Sequence, residues 1–148
     1  MKNLDIIVTD EVKSDLPLDI ERLRNYVITL LDTIWQKSYN LNIVFINDDM
    51  MRELNVKYKK GTGATDVLTF SLSDEEAEVC EGEIYIAPEY ARARAVEYGV
   101  MLENELIRLV THGLLHFTGR IHDTEEAYKD MMDATDNLMK LYISEDGN

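Results

Sequence analysis

Three histidines, His112, His116 and His122, are the residues of this chain best placed by type and spacing to act together: they are its full complement of histidine, and all lie in the run HGLLHFTGRIH. Imidazole nitrogen is a common ligand for divalent transition metals. On a helix, His112 and His116 sit four residues apart on one face and can meet a common ion. Gly119 can take the left-handed backbone that ends a helix and turns the chain back, which would deliver His122 as a third nitrogen. Three protein nitrogens leave a coordination position open to water, as catalytic rather than structural zinc sites do. A lone histidine reads as an ordinary polar residue meeting its hydrogen-bond needs, but random placement would cluster all three this tightly only roughly one or two times in a hundred. The sequence therefore predicts one divalent ion held by His112, His116 and His122, with His112 counted among the catalytic residues as a ligand of that ion. Zinc is the first choice; nickel and other borderline ions suit the same nitrogen set, and cellular supply selects among them.

The spacing H-x-x-x-H-x-x-G-x-x-H also occurs in metzincin proteases, where the residue after the first histidine is the glutamate that serves as general base. Here it is Gly113. Without that carboxylate, peptide hydrolysis by the usual zinc-protease route lacks its proton acceptor unless another carboxylate substitutes. No other residue declares itself in the sequence as the base.

The elements that must position these residues belong to a chain of 148 residues, enough for one domain spanning residues 1–148 around one core. Apolar residues make up 45% and charged residues 30%, and no apolar run is long enough to cross a bilayer, so a soluble protein without a membrane partner is expected. The start, MKNLDIIVTDEVK, is interrupted by Asp5 and does not read as a secretory signal. Cys80 is the sole cysteine, which excludes an intrachain disulfide and fits a reducing cytoplasm. The net charge of −14 would repel a polyanion over most of the surface. The charge is uneven, however. Acids crowd the stretch after Asp123, whereas Arg52, Lys57, Lys59 and Lys60 form a local basic run.

Residues Asn3 to Thr9 read as a strand, and Leu18 to Trp35 as a helix whose stripe of Ile20, Leu23, Val27, Leu30, Leu31 and Ile34 faces a core, with Trp35 packed there too. Leu41 to Ile46 is a second strand, and Asn47, Asp48 and Asp49 can cap a helix running to Tyr58. Thr65 to Leu72 and Gly82 to Ala87 read as two strands, expected antiparallel because only an acidic loop separates them. Pro88 opens a helix to Tyr98; Leu102 to Thr118 is the helix bearing His112 and His116, and Glu125 to Tyr142 is a last acidic helix. This order indicates an α+β domain.

Beyond the histidines, LNVKYKKGTGATDVLTF from Leu54 to Phe70 and GEIYIAPE from Gly82 to Glu89 resemble, in order and spacing, motifs of the YbeY family of bacterial rRNA maturation factors. The resemblance covers most of the chain. It implies a small mixed sheet of about four strands packed against helices, a zincin-like metal-hydrolase arrangement with the histidines in a cleft, and metal-dependent cleavage of single-stranded RNA. It also implies ribosomal RNA, the ribosome or ribosomal proteins as partners, in the cytoplasm. Two departures matter. The family usually has an arginine after the tyrosine of the first motif, where this chain has Lys59, and Tyr-Asp before the third histidine, where this chain has Arg120 and Ile121. Lysine keeps the charge of the family arginine but not its two-pronged grip on phosphate. Lys59 and Arg120 are therefore the expected cationic members of the site, with Arg120 as the replacement guanidinium or, equally, a solvated loop residue. Asp123 could orient a ligand histidine but reads more readily as a helix cap. Tyr58 and Phe70 offer stacking surfaces for a single strand, Phe70 being the more natural core residue. Whether water or the ribose 2′-hydroxyl attacks is not legible. Two other functions remain compatible: a ribosome assembly factor whose metal is structural, and a hydrolase of another bond such as peptide.

Overall fold

The apolar periodicities become four strands and six helices among the described residues, which in this computed structural model are 1–14, 16–59, 65–74, 76–119 and 124–146. In chain order they are β1 (Lys2–Val8), α1 (Asp10–Lys13), α2 (Ile20–Ile34), β2 (Ser38–Phe45), α3 (Asp48–Lys59), β3 (Val67–Ser71), β4 (Val79–Ile86), α4 (Pro88–Tyr98), α5 (Leu102–Phe117) and α6 (Glu125–Asp146). The strands form one mixed sheet in the order β1-β2-β4-β3. β2 runs parallel to both neighbours, Ile6 facing Ile43 and Ile43 facing Ile84. β3 closes the edge antiparallel to β4, Val67 opposite Ile86 and Ser71 opposite Gly82, as the short connection requires.

Alternation along β2 separates the two faces. Leu41, Ile43 and Phe45 join Leu23, Val27, Leu30 and Leu31 of α2 and Leu106, Val110 and Leu114 of α5 in the main core. Val44 faces the other way, and with Ile46, Met51 of α3, Leu68 and Ala87 makes a smaller cluster. Helices α2 and α5 thus cover one face of the sheet, while on the other face apolar packing is confined to the end that holds Val44, Ile46 and Leu68, and Asn40 and Glu81 of the central strands stay exposed.

The departures from the sequence reading have local causes. α1 was not expected; it is a single turn that buries only Val12. α2 starts at Ile20 rather than Leu18, because Asp19 is its cap and accepts from the Arg22 amide at 3.2 Å. β2 and β4 begin three residues earlier than expected, at Ser38 and Val79, because the sheet register continues through Tyr39 opposite Cys80. Trp35 is only half-buried: its ring stacks on Tyr39 at 6.4 Å and meets Phe117 edge-on at 5.2 Å. None of the described helices is long and apolar enough to cross a membrane.

Two glycines set α5 against the sheet. A β-carbon at Gly113 would stand 2.8 Å from Cγ2 of Ile84 and 3.3 Å from Oγ1 of Thr69, and one at Gly82 would stand 2.5 Å from Cε1 of Phe117. Both distances to carbon are shorter than van der Waals contact allows, so only glycine permits this approach.

Candidate metal centre

α5 owes its orientation to one apolar stripe, Leu106, Ile107, Val110, Leu114 and Phe117, all buried in the main core. With that stripe inward, His112 and His116 come to the half-buried edge of the helix that faces β3. Thr111 helps to fix the helix: it shares a 2.6 Å hydrogen bond with the Tyr26 hydroxyl of α2 and donates to the Ile107 carbonyl at 2.8 Å. Burial pushes the Tyr26 phenol up to about 12, against the smaller opposing pull of its bond to Thr111.

The two imidazoles meet as the four-residue spacing predicted. Their Nε2 atoms are 3.2 Å apart, with ring centroids at 4.7 Å and planes at 72°. Two nitrogens each about 2.0–2.1 Å from one ion in tetrahedral geometry would be separated by roughly 3.3 Å. The observed separation is compatible with a shared divalent ion.

The histidines line a cavity of about 410 Å³ whose opposite wall is β3, with Asp66, Thr69 and Ser71. Thr69 and Ser71 share a side of the strand because they are two residues apart. Asp66 lies just before the strand, and its carbonyl accepts from the Ala87 amide at 3.0 Å, which ties it to the end of β4. Among the described residues no set of three potential ligands converges on one point, so Asp66 stands in the cavity but does not complete a triad with the two histidines.

Gly113 sharpens the comparison with zinc proteases. The direction a side chain would take there leads into Ile84 and Thr69, not into open cavity, so a larger residue at this position would be driven into the sheet. At the other end of the histidine motif, Gly119 has φ of 105°, a positive value, and its amide donates to the His116 carbonyl at 3.0 Å. The chain does break from the helix here as expected. His122, Arg120, Ile121, Asp123 and Lys60 lie outside the described residues, so the expected third ligand, the expected guanidinium and the candidate orienting carboxylate are not placed. Lys59 is the last residue of α3, and its side chain also lies outside the description.

The rest of the basic run is mixed. Arg52 pairs with Asp49 at 2.8 Å, and the Lys57 ammonium stands 5.2 Å from the centre of the Tyr58 ring. Tyr58 is 56% exposed and touches the half-buried Phe70 edge-on at 5.8 Å, so it retains a surface that a base could use while Phe70 packs against Tyr85.

Four residues near the histidines were missed in the sequence. Thr69 and Ser71 could have been found together from the period-2 alternation within the TDVLTFS run, whereas Asp66, three residues before Thr69, is out of phase with them and reaches the cavity only through the packing of α5 on β3. Arg108 could have been found from helical spacing, one turn before His112. Its Nε and Nη2 donate to both oxygens of Glu105, at 3.0 and 2.8 Å, and Glu105 is 2% exposed. This pairing holds the guanidinium above its usual range, and the charge of Asp66 acts in the same direction.

The profile of the family described as Endoribonuclease YbeY matches residues 8–142. Endoribonuclease YbeY of Oenococcus oeni is 30% identical over 148 residues, covering 94% of this chain and 97% of that protein. Endoribonuclease YbeY of Clostridioides difficile is 30% identical over 154 residues, covering 95% and 99%. The solution structure of a Thermotoga maritima protein superimposes with a TM-score of 0.58 at 26% identity, covering 96% of this chain and 93% of that one.

Proposed function

This chain belongs to the YbeY family of endoribonucleases, and from that premise we propose that it is a metal-dependent hydrolase cutting single-stranded RNA at the cavity between α5 and β3. The observation that carries the reading is the pair of Nε2 atoms 3.2 Å apart in a half-buried cavity. His112 and His116, with His122 as the third nitrogen, hold one divalent ion, zinc or another borderline metal. Bound there, the ion supplies Lewis acidity toward a phosphoryl oxygen and lowers the pKa of water.

The chain's own residues do the remaining work. The Thr69 and Ser71 hydroxyls donate hydrogen bonds to phosphate oxygens across the cavity from the histidines. Asp66 accepts a proton from the attacking group, a role open to it because it lines the cavity without being grouped with the histidines as a ligand. Lys59 and Arg120 offset the charge that develops on the phosphate. A single strand suits the cavity because its backbone can reach the histidines without a partner strand standing over them. Ribosomal RNA in the cytoplasm, met on or near the ribosome, is the substrate implied by the family, and the acidic α6 offers a docking face for a basic ribosomal protein.

Gly113 offers no base for the peptide alternative, since a side chain there would meet Ile84 and Thr69, and the preference for RNA over peptide rests on the family. The test is to offer the purified protein, under defined metal supply, single-stranded rRNA fragments, the same fragments as duplexes, and a peptide mixture, with His112→Ala as the control. Cutting of single strands that is lost in the variant is expected. RNA cutting that persists in His112→Ala, or peptide cutting in its place, overturns the proposal.

A further inference from the structure

A second cavity adjoins the histidine cavity. Ser71 and His116 also line this second cavity of about 410 Å³, whose far side carries Trp35, Lys37 and Phe117. Trp35 has its ring held by the parallel stack on Tyr39 and the edge contact with Phe117, so its orientation is fixed by packing while it remains half-exposed. The Lys37 ammonium lies 6.0 Å from the centre of the indole. An aromatic ring held in place with a cation beside it is the combination by which proteins stack and hold nucleotides of a single strand.

We propose that this second cavity is a nucleotide subsite, in which a base of single-stranded RNA next to the cleaved phosphate stacks on Trp35 while its own phosphate meets Lys37. The inference rests on the RNA-cleaving reading and adds the direction in which the strand leaves the histidines. Asp74 and Glu81 also line the cavity, and their charge determines which part of the nucleotide goes where. A phosphate is repelled by Asp74 and Glu81 and attracted by Lys37, whereas a base edge can donate hydrogen bonds to the carboxylates. Ser71 and His116 line both cavities, so the two are adjacent and a strand bound at the histidines has Trp35 within the neighbouring cavity.

Because Trp35 is the only tryptophan of the chain, its emission reports this subsite alone. The full-length protein is titrated with a short single-stranded 2′-O-methyl RNA carrying a dye, and binding is followed in parallel by the dye's anisotropy and by tryptophan emission. Saturable quenching that tracks the anisotropy is expected with the single strand and not with its duplex. Trp35→Ala is expected to weaken binding roughly 5- to 100-fold and Trp35→Phe much less, since a ring is kept. Lys37→Ala is expected to lower the slope of log affinity against log salt by about 0.7, the value for one phosphate contact on a single strand. Thermal melts identify a variant that has lost its fold; should Trp35→Ala do so, Trp35→Phe and Lys37→Ala carry the test. Anisotropy that shows binding while emission stays constant, or a Lys37→Ala variant with unchanged slope, overturns the subsite and leaves the RNA reading intact. Absence of binding in both channels overturns the RNA reading together with the subsite.

Discussion

Replacing Gly113 with alanine places one methyl group where α5 meets the sheet, and two opposed effects decide the outcome. Alanine in a helix interior is favoured over glycine by about 0.8–1 kcal/mol. Against this, the new β-carbon would stand 2.8 Å from Cγ2 of Ile84 and 3.3 Å from Oγ1 of Thr69. Ile84 is fully buried and branched at its β-carbon, which carries that methyl, so it cannot swing away as the tip of a flexible side chain would. Forcing a methyl group into such packing costs about 1–3 kcal/mol. Overpacking matches or exceeds the helix gain, leaving a net loss of roughly 0–2 kcal/mol, or a melting temperature lower by up to about 8 °C for a domain of this size. The same strain is relieved by moving α5 away from β3, which carries His112 and His116 away from Thr69 and Asp66. RNA cleavage should therefore fall by more than the folded fraction explains. Differential scanning calorimetry and single-turnover cleavage of the same preparation give the two quantities. An alanine variant that melts at or above the wild-type temperature and cuts RNA at the wild-type rate would refute the close approach of α5 to the sheet.

Two further perturbations test separate parts of the structure. The Tyr26 phenol is raised from 10.0 to about 12, so the folded state holds this proton where the unfolded state has released it. The associated stability, roughly 2–3 kcal/mol, is whole below pH ~10 and is lost as pH rises toward ~12. Tyr26→Phe should cost about 0.5–1.5 kcal/mol at neutral pH, through the lost bond to Thr111, yet show a shallower alkaline loss in urea titrations read between pH 8 and pH 11; an alkaline limb identical to wild type would count against this site. Asp66→Asn keeps size and shape while removing the proton acceptor, and should lower the cleavage rate by about 10²–10⁴ with metal content and melting temperature unchanged. A rate within a few-fold of wild type would remove Asp66 from the reaction.

Much of the fold was legible because its signals are periodic. The stripe on α2, the two parts of the main core on α5 and β2, and the antiparallel pairing of β3 with β4 all follow from spacings that the chain states directly. The pairing of His112 with His116 was legible for the same reason: four residues on a helix is a geometric statement. What stayed hidden depends on contacts between segments distant in sequence. Gly113 read only as a missing glutamate, although its position is dictated by Ile84 and Thr69 across the sheet interface. Trp35 read as core, and it does pack against the main core, but the helix ends one residue before it and leaves its ring half-exposed beside a cavity, which the sequence did not disclose. Asp66 and Ser71 carry no distinctive spacing relative to the histidines, and only the packing of α5 on β3 brings them into one cavity.

Metal content measured beside RNA cleavage, in wild type and in His116→Ala, tests the metal centre most directly. Preparations are loaded with zinc, desalted and assayed for bound metal by mass spectrometry, then given the same single-stranded RNA. One ion per wild-type chain is expected, with binding at least 10-fold weaker in His116→Ala and cleavage lost in proportion, while the melting curve of the metal-free protein stays unchanged. Wild type that cuts RNA without stoichiometric metal, or a His116→Ala variant that retains both the ion and the activity, would contradict a catalytic metal held between His112 and His116.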